Sequence, residues 1–134
     1  GPLLDRLDLQ LKLEPPDPDS MPPCMAEDSL EHDQTLSAAS IQQARERMKQ
    51  RNPPDLSNRD LSAEDLQRRG RFRAETISRW EEVMRSRRLS MRSGLRLLRV
   101  SRTVADLRGS DEVSTGNLAS ALCFRSFDVA EPWN

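Results

Sequence analysis

The segment from Ser90 to Gly109, SMRSGLRLLRVSRTVADLRG, constrains the fold more than any other part of the chain. Ser90 is a good N-cap because its hydroxyl can accept from a free amide of the first turn. Gly109 is a good residue just past the C-terminus, where left-handed backbone is needed. Between them Met91, Leu95, Leu98 and Ala105 fall on one stripe, with Leu97 and Val104 alongside. The spacing predicts a long amphipathic helix, and such a helix must bury its stripe against others.

The flanking segments supply candidates. Ser37 or Thr35 can cap SAASIQQARERMKQR, with Ala38, Ile41, Ala44 or Arg45, and Met48 at helical spacing, and Asn52-Pro53-Pro54 ends it. Ser62-Ala63-Glu64-Asp65 reads as a loose capping box opening a short helix to about Arg69. Arg73 to Arg88 carries Ile77, Trp80, Val83 and Met84 on one face. After the turn GSDE, Ser114 caps a last helix to about Arg125, with Leu118, Ala121 and Leu122. A bundle of four or five helices over residues 36–126 follows, with 127–134 as a tail where Phe127 and Trp133 can dock.

Upstream the pattern changes. Leu7, Leu9, Leu11 and Leu13 alternate with Asp8, Gln10 and Lys12, a period of two that predicts a strand. One strand cannot stand alone, so its partners are expected in a longer parent chain, of which this sequence, opening on Gly1 rather than Met, reads as a piece. Residues 15–35 hold five of the nine prolines with many acids, and read as an extended linker. The fold class expected is thus mainly α, a helical bundle preceded by one strand of an α/β unit over residues 1–14.

Charge is segregated although the net charge is −1. Residues 1–44 carry −7 and residues 68–108 carry +9, and the basic side chains of the whole chain are 19 Arg against 2 Lys. Arg92, Arg96 and Arg99, spaced four and three, share one helix face with Arg102 nearby. Arginine outperforms lysine where phosphate or carboxylate must be met bidentately. Arg92 also lies in the first helical turn, where the helix dipole disfavours a cation by about 0.3–1 kcal/mol and an anionic partner offsets that cost. A solvated basic face is the plain alternative for each of these residues, as a surface Asp–Arg pair is for Arg6 beside Asp5.

Other chemistries are excluded or unsupported. No apolar run approaches the roughly 18 residues of a membrane helix, and the N-terminus lacks the order of a signal peptide. Cys24 and Cys123 form neither a disulfide framework nor a zinc site and are expected as reduced thiols of a cytoplasmic protein. His32, the single histidine, sits among acids in a polar stretch without the surroundings of a catalytic triad. No phosphate-cradling GxxxxGK[ST] or GxGxxG is present, and no metal site is expected.

Two segments together resemble a known family. GPLLDRLDLQLKL is similar to the end of the ATPase core of the ComM-type magnesium-chelatase-like AAA+ ATPases, whose usual form reads GPLLDRIDL before a strand. LSMRSGLRLLRVSRTVADLRGSDEVSTGNLASALCFR resembles their C-terminal helical domain, and IQQARERMKQRN the helix before it. Gly94, Asn117 and Phe124 depart from the pattern, which usually has a bulky residue (often Tyr), His and Tyr there. More weakly, the chain resembles the ATPase subunit of magnesium chelatase and the minichromosome maintenance helicases.

The resemblance implies a C-terminal lid of a ring motor. Arg6 matches the arginine finger that enters the neighbouring subunit's ATP site, and Arg92 the sensor-2 arginine that contacts the γ-phosphate. Arg96, Arg99 and Arg102 are left for subunit-interface or DNA-backbone contact. ATP and Mg²⁺ serve the complete protein, a homo-hexamer acting on DNA in branch migration during transformation. The phosphate-binding loop is expected upstream of Gly1, so the 134-residue chain by itself should neither hold ATP tightly nor hydrolyse it. Two other functions stand beside this one: metal insertion into a porphyrin, and a free-standing basic helical module that binds nucleic acid with steep salt dependence.

Overall fold

The computed structural model describes residues 6–11 and 37–124. The expected linker (15–35), the tail (127–134), Cys24, His32, Phe127, Trp133 and the last residues of the expected strand lie outside them.

Five α-helices make up the described bundle: α1 (Ala38–Arg51), α2 (Ala63–Arg69), α3 (Ala74–Ser86), α4 (Met91–Leu107) and α5 (Thr115–Cys123), with one 3₁₀ turn (Asn58–Asp60) before α2. Four helices start on a serine that accepts from an amide of the first turn: Ser37, Ser62, Ser90 and Ser114. Ser62 and Ser114 complete reciprocal boxes with Asp65 and Asn117. Asn117 is therefore a capping residue here. At the 3₁₀ turn the Ser57 hydroxyl, opposed by desolvation, holds the Asp60 carboxyl below its ordinary range. Only α3 lacks a capping side chain; it follows Arg73, whose amide donates to Val113 O.

α4 is the axis of the molecule. Its buried residues are Ser93, Leu97, Ser101 and Ala105 in one row and Gly94, Leu98, Arg102 and Asp106 in the next. Each row steps by four, so the two lie side by side along the helix. One apolar cluster gathers Val83, Leu97, Leu118 and Ala121, and a second gathers Leu61, Leu66 and Leu98. Trp80 packs against both. Its indole Nε1 donates to Gly94 O at 2.9 Å. A Cβ at Gly94 would lie 2.3 Å from Met84 Sδ and 3.1 Å from Trp80 Cζ2, so the missing side chain makes room for the ends of these two α3 side chains.

Two expectations need correction. The apolar stripe does not begin at Met91, which is 62% exposed; burial on α4 starts at Ser93. Nor do residues 7–11 form a strand among the described residues. Leu7, Leu9 and Leu11 face solvent while Gln10 is buried, and the Gln10 amide donates to Phe124 O at 2.7 Å. The alternation is real, but among the described residues no sheet edge lies beside it to complete the ladder. Among the described residues the sole β pairing is an isolated parallel bridge between Phe72 and Val113.

Candidate functional site

The four arginines of α4 turn out to have different environments. Arg92 is exposed in the first turn, and its side chain makes no hydrogen bond or ion pair with the described residues. Arg96, one turn on, is mostly buried, with Nε 3.3 Å from Asp8 Oδ1. Arg99 Nε donates to Leu61 O at 2.8 Å and so pins the segment that enters α2.

Arg102 corrects the expectation most sharply. It was expected beside the exposed arginines as an interface or DNA contact, and it is 0% exposed. One guanidinium nitrogen donates to Gly70 O and Asp111 O, at 2.8 and 2.9 Å. The other donates to Ser110 O at 2.8 Å and Asp106 Oδ1 at 3.0 Å. The planar fork reaches three loop carbonyls and one carboxylate at once, which a point-charge ammonium could not do in the same geometry.

Asp106 is the hub of this buried group. Arg51 at the end of α1 meets it bidentately, at 2.6 and 2.9 Å, and Asn58 Nδ2 donates to it at 2.9 Å. Asn58 in turn donates to Thr103 Oγ1 and accepts from Asn52 and Arg51. Burial pulls the Arg102 pKa below its ordinary value; Asp106 opposes that pull, and Arg51 and Arg71 add to it. Sequence reasoning missed this cluster. One signal was available: Arg102 and Asp106 stand four apart on the predicted helix, the spacing at which oppositely charged side chains meet.

The segment carrying Arg6 lies along the bundle. Asp8 is held by Arg96, and Gln10 by the carbonyl of Phe124 just after α5. Arg6 stands two residues before Asp8 and is exposed, with no partner among the described residues. The Asp8–Arg96 pair therefore links the neighbourhoods of Arg6 and Arg92.

Both arginines present exposed guanidinium forks that no described carboxylate has claimed, a geometry able to meet an anionic group bidentately. Among the described residues no group of three His, Cys, Asp or Glu could hold a metal ion. Cys123 is exposed and carries no disulfide. No described helix is long and apolar enough to cross a membrane.

Comparison with known proteins agrees with this architecture. Residues 32–125 match the family described as magnesium chelatase, subunit ChlI C-terminal. The uncharacterized protein YifB of Salmonella typhimurium is 31% identical over 130 residues, which is 96% of this chain and 24% of that protein. The competence protein ComM of Haemophilus influenzae is 28% identical over 130 residues, 94% of this chain and 24% of its own length. YifB of Escherichia coli is 30% identical over 132 residues, with 96% and 24% covered. The chain thus spans about a quarter of the length of these relatives. With the family matched across the whole helical bundle, and ComM and YifB aligned along nearly all of the chain, this protein belongs to the magnesium chelatase ChlI C-terminal family, in its ComM/YifB-type branch.

Proposed function

We propose that this chain is the lid portion of a ComM-type AAA+ ATPase and that it supplies two arginines to ATP hydrolysis. Arg6 is the finger that reaches the ATP of a neighbouring subunit. Arg92 is the sensor that contacts the γ-phosphate. The observation that carries this reading is the contrast along α4. Arg96, Arg99 and Arg102 are each engaged inside the molecule, whereas Arg92 in the same helix is exposed and unpaired among the described residues. It stands where the helix dipole disfavours a cation, a position that an anionic ligand makes favourable.

The chemistry fits the residue type. Phosphoryl transfer is mostly positioning and charge stabilisation, and a finger contributes about 10³–10⁵ in rate. ATP and Mg²⁺ belong to the complete protein, with the phosphate-binding loop outside this sequence. The assembly is a ring of like subunits, a homo-hexamer in the cytoplasm. Its substrate is DNA, remodelled by branch migration during transformation; the name of the Haemophilus relative as a competence protein supports that assignment. The alternative, a free-standing basic module binding nucleic acid through residues 68–108, loses Arg96, Arg99 and Arg102 from its basic face, because each is engaged internally.

The test uses the complete ATPase that carries this segment. Arg6→Ala should lower kcat by about 10³-fold or more, with ATP still bound. Arg92→Ala should lower turnover by at least about tenfold, on the scale of one charged contact to the phosphate. Unchanged turnover in either variant contradicts the role assigned to that arginine.

A further inference from the structure

Arg96 lies one helical turn beyond Arg92, and Asp8 lies two residues beyond Arg6. Their side chains meet at 3.3 Å, the arginine 13% exposed and the aspartate 50%. As a source of stability the pair is poor. Arg96 Nη1 is buried and has no hydrogen-bond acceptor among the described residues. A half-exposed carboxylate facing an incompletely satisfied guanidinium offsets little of the cost of taking that cation out of water. What the pair does supply is register. Together with the Gln10 N–H to Phe124 O bond, it fastens the Arg6 segment at two points, one on α4 and one just after α5.

We propose that Asp8 and Arg96 are positioning residues that hold Arg6 in a fixed relation to Arg92, so that a shift of α4 on γ-phosphate contact carries Arg6 with it. The proposal rests on the reading that Arg6 and Arg92 act on ATP. Neither Asp8 nor Arg96 touches the nucleotide. Their contribution is geometric, and geometry is where an arginine finger is sensitive: a misplacement of about 1 Å can cost on the order of 10²-fold in rate.

The experiment measures ATP turnover by the complete ATPase carrying Arg96→Met, Asp8→Asn, and the exchanged pair Asp8→Arg/Arg96→Asp. Methionine keeps the apolar bulk of Arg96 and removes its charge. Each single variant should lower kcat by about 10- to 100-fold while KM for ATP stays within about threefold, because placement rather than ground-state binding is lost. The exchanged pair should recover about tenfold over either single variant, a rescue that mere packing at this site would not produce. If Arg96→Met fails to fold, Asp8→Asn on the exposed side of the pair carries the test. The proposal is overturned if Asp8→Asn keeps kcat within twofold, or if the exchanged pair recovers nothing. Arg6→Ala and Arg92→Ala run in the same assay separate the two levels. Full turnover in those variants defeats the underlying reading. Lost turnover there with normal turnover in Asp8→Asn defeats the positioning role alone.

Discussion

Arg102 shows how a residue's neighbours outweigh its type. An arginine is the last side chain expected to be fully buried, yet here it organises two loops. Gly70 O, Ser110 O and Asp111 O all converge on it, and Asp106 balances its charge. Without Arg102, Asp106 keeps Arg51 and Asn58, but the carbonyls of Gly70, Ser110 and Asp111 lose their donor, and each acceptor left unsatisfied costs about 1–3 kcal/mol. Arg102→Met should therefore destabilise the chain by about 3 kcal/mol or more, read as a lower urea midpoint at constant m-value. Arg102→Lys should recover less than half of that, because an ammonium cannot span the same four acceptors. A loss below about 1 kcal/mol, the worth of an ordinary surface pair, would contradict the assignment. Periodicity could not reveal this role. Of the eight buried positions on α4, five are Ser93, Gly94, Ser101, Arg102 and Asp106, and none of these marks an apolar face. The partner that joins α1 to this group is also remote in sequence: Arg51 is 55 residues from Asp106.

Helix boundaries were far more legible, because they are set locally. Ser37, Ser62, Ser90 and Ser114 carry their own capping chemistry, and each starts the helix that its neighbours in sequence predict. The C-termini of α3 and α4 offer a controlled comparison. After α4, Ser110 N donates to Ala105 O and Gly109 N to Asp106 O, with Gly109 at φ +70°. After α3, Leu89 N donates to Met84 O and Arg88 N to Arg85 O, with Arg88 at φ +50°. These are two copies of one left-handed closure, one on glycine and one on a residue that is strained there. Arg88→Gly should raise stability by about 1 kcal/mol and Gly109→Ala should lower it by a similar amount, both read from denaturant midpoints. A Cβ at Gly109 has room, with Arg47 Nη2 its nearest neighbour at 3.5 Å, so the loss would come from backbone strain rather than collision. Destabilisation by Arg88→Gly would mean that the Arg88 side chain has a role in the fold that outweighs its strain. The strand expected at Leu7–Leu13 marks the limit of local signals. Alternation shows which residues share a side, but a ladder needs an edge, and none lies beside residues 7–11 among the described residues.

At the scale of the whole molecule, α4 joins two apolar clusters and one buried polar one, and α3 ties the apolar two together through Trp80. The +9 block of residues 68–108 is accordingly not one surface. Part of it is structural, part of it clips the Arg6 segment, and Arg92 remains at the exposed end. The sequence resemblance already pointed to Arg6 and Arg92, since both stand in short, specific motifs. It left Arg96, Arg99 and Arg102 without an internal role, because spacing places all four on α4 and only tertiary contacts decide which are used internally. On the proposed reading, this lid serves ATP sites across a subunit boundary. Mixing two inactive forms of the complete ATPase tests it most directly, one carrying Arg6→Ala and the other unable to bind ATP through its phosphate-binding loop. If Arg6 of one subunit acts on the nucleotide of its neighbour, the mixture regains ATP turnover that neither form shows alone; a mixture as inactive as its components would contradict the claim.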